Sequence, residues 1–178
     1  MSETKKILGD KRRNLLVEWL STSNEPLTGG ELAKRTNVSR QVIVQDISIL
    51  KAKKHPIIAT AQGYILVKST PSTKVTRIIA CKHSPEQTKE ELFILVDHGV
   101  TIRDVIVEHA IYGEITANLM LSTRKEVEMF FEKLETTNSS LLSELTNGVH
   151  LHTIEADNLH QLEKAIESLE QKQFILKD

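Results

Sequence analysis

Two helix-start signals stand eleven residues apart near the N-terminus, and little can fit between them. Thr28-Gly29-Gly30-Glu31 has the capping-box arrangement, with Thr28 as N-cap and Glu31 placed to reach back. Ser39 is the second cap. The helix between them can run only to about Thr36 before Asn37-Val38-Ser39 turns the chain into the next, which the pattern carries to about Lys53. Upstream, Leu15, Leu16, Trp19 and Leu20 make an apolar stripe at helical spacing in a first helix over residues 4–21. Downstream, Ile57-Ile58-Ala59-Thr60 and Tyr64-Ile65-Leu66-Val67 are short β-prone runs around Ala61-Gln62-Gly63 and read as a hairpin. Three helices closed by a hairpin describe a winged helix-turn-helix.

Charge supports a polyanion partner for this part. The whole chain carries −1, but residues 1–70 carry +6 and residues 71–178 carry −7. On the third helix, Ile43, Ile47 and Leu50 share a face at i, i+4, i+7 and should pack inward. Gln41, Val44, Gln45 and Ser48 point away, a set that suits the major groove: Gln can bond adenine bidentately, Val can touch a thymine methyl and Ser can bond either partner. Arg40 could reach a guanine edge or a phosphate, Lys51, Arg12 and Arg13 are expected on phosphates, and Gly63 and Lys68 of the wing should approach the sugar-phosphate chain.

Ser69-Thr70-Pro71-Ser72-Thr73 reads as a linker, so the domains are placed at residues 1–70 and 74–178. Beyond it strand and helix signals alternate. Arg77 to Lys82 reads as a strand; Ser84-Pro85-Glu86-Gln87 opens a helix that Gly99 stops; Ile102 to Tyr112 and Gly113 to Leu119 read as paired strands. Thr123-Arg124-Lys125-Glu126 opens a further helix, residues 140–155 are expected to form a hairpin turning at Asn147-Gly148, and Leu159, Leu162, Ala165, Ile166 and Leu169 mark the last helix. The fold class is α+β, with helices packed on one sheet.

Chemistry concentrates in this second part. In an extended segment His150-Leu151-His152 sends both imidazoles to one side and Leu151 to the other, a bite for one metal ion. Cys81-Lys82-His83 has the same alternation and precedes a helix carrying Glu91, which adds N and O donors suited to a divalent transition metal. Taken alone, the His-x-His pair fits two solvated strand residues as well. Cys81 reads as a small buried hydrophobe rather than a ligand, and as the single cysteine it rules out an internal disulfide and suits a reducing compartment. There is no 18-residue apolar run and no signal-peptide pattern at Met1-Ser2-Glu3-Thr4-Lys5-Lys6, so a cytoplasmic protein without membrane partners is expected.

Cys81-x-His83, Val107-Glu108-His109-x-x-Tyr112-Gly113 and Gly148-Val149-His150-Leu151-His152-Thr153 resemble the motifs of the three-histidine (3H) domain. With Ser39-Arg40-Gln41-Val42-Ile43-Val44-Gln45-Asp46 ahead of them, the whole chain is similar to the NiaR family of transcriptional repressors of NAD biosynthesis. The resemblance implies an HPr-like β-α-β-β-α-β-β-α second domain and a homodimeric repressor that binds double-stranded operator DNA upstream of NAD-synthesis or niacin-uptake genes. It also implies nicotinate as co-repressor and one divalent metal ion of the Zn, Ni or Fe class per chain. Metal ligation carries over to His83, Glu91, His150 and His152, and His109, Tyr112 and Arg77 are the candidates for holding the effector. Ala110 departs from the proline expected after the histidine. Two other readings stay open at this point: a metal-dependent hydrolase fused to a DNA-binding domain, with Glu108 or Glu155 as base, and a regulator whose effector is the metal itself.

Overall fold

Both early caps form as the sequence requires. In the computed structural model, which describes residues 7–67 and 73–177, Thr28 accepts the Glu31 N–H at the start of α2 (Gly29–Thr36) and Ser39 accepts the Val42 N–H at the start of α3 (Arg40–Ala52). Asn37 between them takes the left-handed conformation, φ 51°, that ends α2. Glu31 does not reach back to complete the capping box; its carboxylate pairs with Arg35 one turn on. The first helix, α1, spans Gly9–Thr22 and starts later than the stripe suggested, with Leu8 as a cap that offers no side-chain bond. The residues at 4–6 that it was expected to include lie outside the described ones, as do Lys68 and the linker residues 69–72.

Leu16, Leu20, Leu32, Ile43, Ile47 and Leu50 make the core of this unit. The hairpin β1 (Ile57–Ala59) and β2 (Tyr64–Leu66) closes it, and Leu27 bridges to Tyr64 as a further one-residue strand. Gly63, at φ 147°, lets these backbones meet, because a Cβ there would lie 2.7 Å from the Leu27 carbonyl oxygen. The three helices and wing are the expected winged helix-turn-helix.

Arg12 and Arg13 do not face outward as phosphate contacts would. Arg12 is buried, its Nε 2.5 Å from Asp46 of α3, and Arg13 donates to the other Asp46 oxygen at 3.0 Å as well as to Asp10. The two cations tie α1 to the inner side of α3, which corrects the phosphate reading. A basic run at a helix start looks the same in sequence whether it meets DNA or a buried carboxylate.

The chain divides into units Met1–Thr70 and Pro71–Asp178. The second runs β3 (Val75–Lys82), α4 (Thr88–Asp97), β4 (Thr101–His109), β5 (Gly113–Leu121), α5 (Arg124–Thr137), β6 (Val149–Ala156) and α6 (Leu159–Gln171). The order in its antiparallel sheet is β3-β6-β4-β5, so β6 slots between β3 and β4. The helices form one layer: α4 packs on β4, α6 on β6, and α4 touches both α5 and α6. Inward residues include Ile79, Cys81, Ile102, Leu119, Leu121 and Ile154.

This is an α+β unit as expected, with one strand fewer than the β-α-β-β-α-β-β-α order. Residues 142–146 form a 3-10 helix instead of the first arm of a hairpin, the Leu141 N–H being held by the Glu144 carboxylate at 2.8 Å. The Asn147-Gly148 turn signal was sound in its backbone, since both residues have positive φ, but the turn joins that 3-10 helix to β6.

Removing the carboxylate that the two arginines share leaves a guanidinium buried without its counter-charge. Asp46→Ala should therefore destabilise the chain by about 3 kcal/mol or more in urea unfolding. Arg12→Ala should lower stability and leave the salt dependence of DNA binding unchanged.

Candidate metal centre and DNA-reading helix

The 3-10 turn Pro85–Gln87 opens behind Ser84 with a full capping box and hands the chain to α4, so Glu91 arrives on the sheet-facing side of that helix with no solvent exposure. On β6, His150 and His152 point the same way, and His83 at the end of β3 joins them; all three are buried. Their Nε2 atoms converge on one oxygen, Glu91 Oε2, at 2.7 Å from His83, 3.3 Å from His150 and 3.6 Å from His152. The structure thus brings His83, Glu91, His150 and His152 together.

Each ring is held from behind by backbone. The Nδ1 atoms lie against carbonyl oxygens of Ser84 (2.9 Å), Gly148 (2.9 Å) and Asp104 (2.6 Å), so Nδ1–H donates in every case and each Nε2 faces Glu91, as an N–H donor when the ring is charged and as a lone pair when it is neutral. Three lone pairs aimed at a carboxylate repel one another unless a cation, either protons or a metal ion, sits among them. Glu91 Oε1 and His152 Nε2 are buried and have no hydrogen-bond partner. Three imidazoles and a carboxylate with unpartnered buried atoms are a donor set that fits a divalent transition metal.

Burial opposes charge on these groups, yet their mutual contacts win. Glu91 is held well below the ordinary carboxylate range by the charge of His152 and polar contacts with His150, His152 and His83. His83 and His152 are raised because the Glu91 carboxylate outweighs burial, with the Ser84 and Asp104 carbonyls adding to it. Cys81 lies close enough that its sulfur falls within 4.8 Å of the donor atoms of Glu91 and His150. Burial pushes its thiol far up, and the Glu91 charge pushes further. Without a metal ion that burial favours the thiol over the thiolate, and the sulfur stands as a further donor atom beside Glu91 and His150.

The sequence assigns Gly148 a place in a turn and a motif but not its contact with His83, and it does not single out Thr88. Gly148 has φ 86°, and a Cβ on it would stand 2.1 Å from the His83 carbonyl oxygen, so β6 can begin beside His83 only because residue 148 lacks a side chain. Thr88 is buried one helical turn before Glu91, and its hydroxyl has no partner. It lines a cavity of about 150 Å³ with His150, His152, Leu92, Val105 and Phe130. The i, i+3 spacing to Glu91 was the available signal for Thr88.

The other candidates stand elsewhere. His109 Nδ1 accepts from the backbone N–H groups of Ile111 and Tyr112, so it shapes the β4–β5 turn. Tyr112 is 77% exposed at that turn, and Arg77 is exposed on the edge strand β3. Glu155 pairs with Lys74 and Arg103. Glu108 and Glu155 both project from the sheet face opposite the imidazoles, which leaves neither in place to act as a base there.

On α3, Ile43, Ile47 and Leu50 are buried, while Arg40, Gln41, Gln45, Ser48 and Lys51 are exposed and Val44 is half-buried. Ser48 spends its proton on the Val44 carbonyl at 2.9 Å, so it can only accept from a base or water.

Comparison with known proteins places both halves. Residues 12–65 match an HTH domain and residues 76–178 match the 3H domain. Over its whole length the chain is 52% identical to the Transcription repressor NadR of Bacillus subtilis (strain 168), covering 100% of each protein. The chain belongs to the NiaR/NadR family of transcription repressors. It is also 41% identical to the Probable transcription repressor NiaR of Thermotoga maritima, with 97% of this chain and 98% of that one covered. The NiaR/NadR relatives are transcription repressors and not enzymes, and the hydrolase reading falls with that. Among the described residues no helix is long and apolar enough to cross a membrane.

A methyl group at residue 148 would push the His83 backbone away from β6. Gly148→Ala should cost about 1–3 kcal/mol in urea unfolding, from positive φ and the clash together, and should reduce bound metal in plasma emission analysis of the purified protein. In chelator-treated protein the cluster's own contribution to stability is full below the ordinary histidine value of about 6.5 and is lost as pH rises through the raised values of His83 and His152. At the acid end it is lost as Glu91 takes a proton below the ordinary carboxylate range. Urea midpoints measured against pH should therefore fall above about pH 6.5, and Glu91→Gln should flatten that fall.

Proposed function

We propose that this repressor acts on genes of NAD biosynthesis or niacin uptake, binding operator DNA as a homodimer in the cytoplasm with nicotinate as co-repressor and a divalent metal ion in the 3H unit. The observation that carries the reading is the set of three imidazoles whose Nδ1 atoms are all tied to carbonyls, leaving three Nε2 atoms free to face Glu91 beside an apolar cavity. His83, Glu91, His150 and His152 would hold the metal, which when bound supplies a Lewis-acid position for a pyridine nitrogen or a carboxylate. Leu92, Val105 and Phe130 offer flat apolar contact to an aromatic ring, and the unpartnered Thr88 hydroxyl can donate to a carboxylate oxygen. This cavity replaces His109, Tyr112 and Arg77 as the proposed effector site.

DNA reading is assigned to α3. Gln41 and Gln45 are exposed on one side with Val44 between them, and Arg40 and Lys51 flank them as positioning cations. A dimer of such units reads two half-sites about one helical turn, ~34 Å, or a multiple apart. The NAD assignment and the effector rest on the resemblance of the motifs to the NiaR family and on the fit of the cavity to a small aromatic acid.

The test is a titration of a palindromic operator by fluorescence anisotropy, with nicotinate varied at fixed metal and metal varied at fixed nicotinate. Nicotinate should tighten operator binding, and by reciprocity the operator should tighten nicotinate binding by the same factor. The double variant His150→Ala/His152→Ala should lose stoichiometric metal and nicotinate response together while keeping basal DNA affinity. A double variant that binds metal one-to-one and still responds to nicotinate would sink the assignment. A response to metal alone, with nicotinate inert, would favour the metal as effector.

A further inference from the structure

An antiparallel sheet with helices on one face ordinarily shows polar residues on the other. Here the middle of that other face is apolar. Residues that pair across strands share a face, so Ile78 and Ala80 of β3, Val149 and Leu151 of β6 and Ile106 of β4 all lie on the side away from the helices. Ile78 is 60% exposed and Val149 39%.

The two ends of this face differ in the balance of their charges: two cations with Glu155 at one, two carboxylates with Lys82 at the other. At one end stand Lys74 and Arg103, both drawn to Glu155 at 3.5 and 3.6 Å. At the other, Glu108 and Glu114 are direct cross-strand partners on β4 and β5. Like charges directly opposite one another destabilise a sheet, and among the described residues no cation forms an ion pair with either. Arg103 and Glu108 occupy opposite ends of β4 on the same face, five residues apart, and Glu108 lacks the counter-charge that Arg103 could offer.

We propose that a second copy of this chain docks face to face on this sheet, related by a two-fold axis that lies in the interface and runs across the strands. Of the in-plane axes, that one lays β4 over β4 with its ends exchanged, which sets Arg103 against Glu108 of the second copy twice over. An axis along the strands would set Glu108 against Glu108 and Arg103 against Arg103. Ile78, Leu151 and Ile106 are then covered at the centre and the charges ring them, the arrangement of an isologous interface. The proposal rests on the dimeric reading above and adds the surface that makes it.

Full-length protein without DNA or nicotinate should sediment as a dimer at micromolar concentration. Ile78→Lys should raise the dimer dissociation constant by about tenfold or more. Arg103→Glu and Glu108→Arg should each weaken the dimer, and the two together in one chain should restore it, because each copy then meets the reversed partner. Circular dichroism and metal content of the same samples separate a lost interface from a lost fold; Ile78 and Arg103 are exposed, and neither is among the four residues assigned to the metal. A wild-type monomer would overturn the proposal. So would a dimer that Ile78→Lys and both charge reversals leave intact; that result would point to another dimer surface and leave the operator reading standing.

Discussion

A carboxylate without solvent contact sits between α4 and the sheet, and the second unit is arranged around keeping it charged. Glu91 alone in that position would take a proton or unfold its surroundings. What holds it is the convergence of His83, His150 and His152 from two neighbouring strands on one of its oxygens. That convergence requires β6 to lie beside β3, and the Asp104 carbonyl that anchors His152 places β4 on the other side of β6, so the strand order and the site are linked. The apolar residues around it then serve a second end, excluding water so that the charges act at full strength.

The first unit solves a similar problem on a smaller scale. Asp46 lies on the inner side of the helix whose outer side is assigned to DNA, and Arg12 and Arg13 of α1 neutralise it. A helix packed by apolar contacts alone could slide or roll by a fraction of a residue. A buried ion pair with two directional bonds permits less of that, and the exposed Gln41 and Gln45 and the half-buried Val44 inherit a defined orientation from it.

Much of this was legible in the sequence because the informative residues act locally. Thr28, Ser39 and Thr123 bond to backbone three residues ahead, so their spacing alone locates helix starts. His150 and His152 share a face because strands alternate, and Glu91 faces them because α4 repeats every 3.6 residues. What was not legible depends on partners far along the chain. Nothing near Arg12 announces Asp46. The Asn147-Gly148 turn is equally at home in a hairpin or after a 3-10 helix, and the choice at 142–146 was made by a carboxylate bond from Glu144 rather than by apolar pattern. The cavity beside His150 is bounded by residues from several elements, and no local spacing could show it; the candidates His109 and Tyr112 came from their motif, and neither they nor Arg77 line it.

The anchors behind the three imidazoles have a bearing on how this chain can change. Many metal-binding histidines are oriented by a neighbouring Asp or Glu side chain, which a single mutation can delete. Here the Nδ1 partners are the carbonyls of Ser84, Gly148 and Asp104, and every amino acid has a carbonyl. The tautomers are therefore written in the path of the backbone and survive replacement of the residues that supply them, as long as that path survives. At Ser84 and Asp104 drift is buffered in this respect. At Gly148 it is not, since there the path itself depends on the missing side chain. Of the three supports, the smallest residue is the one that inheritance can least afford to vary.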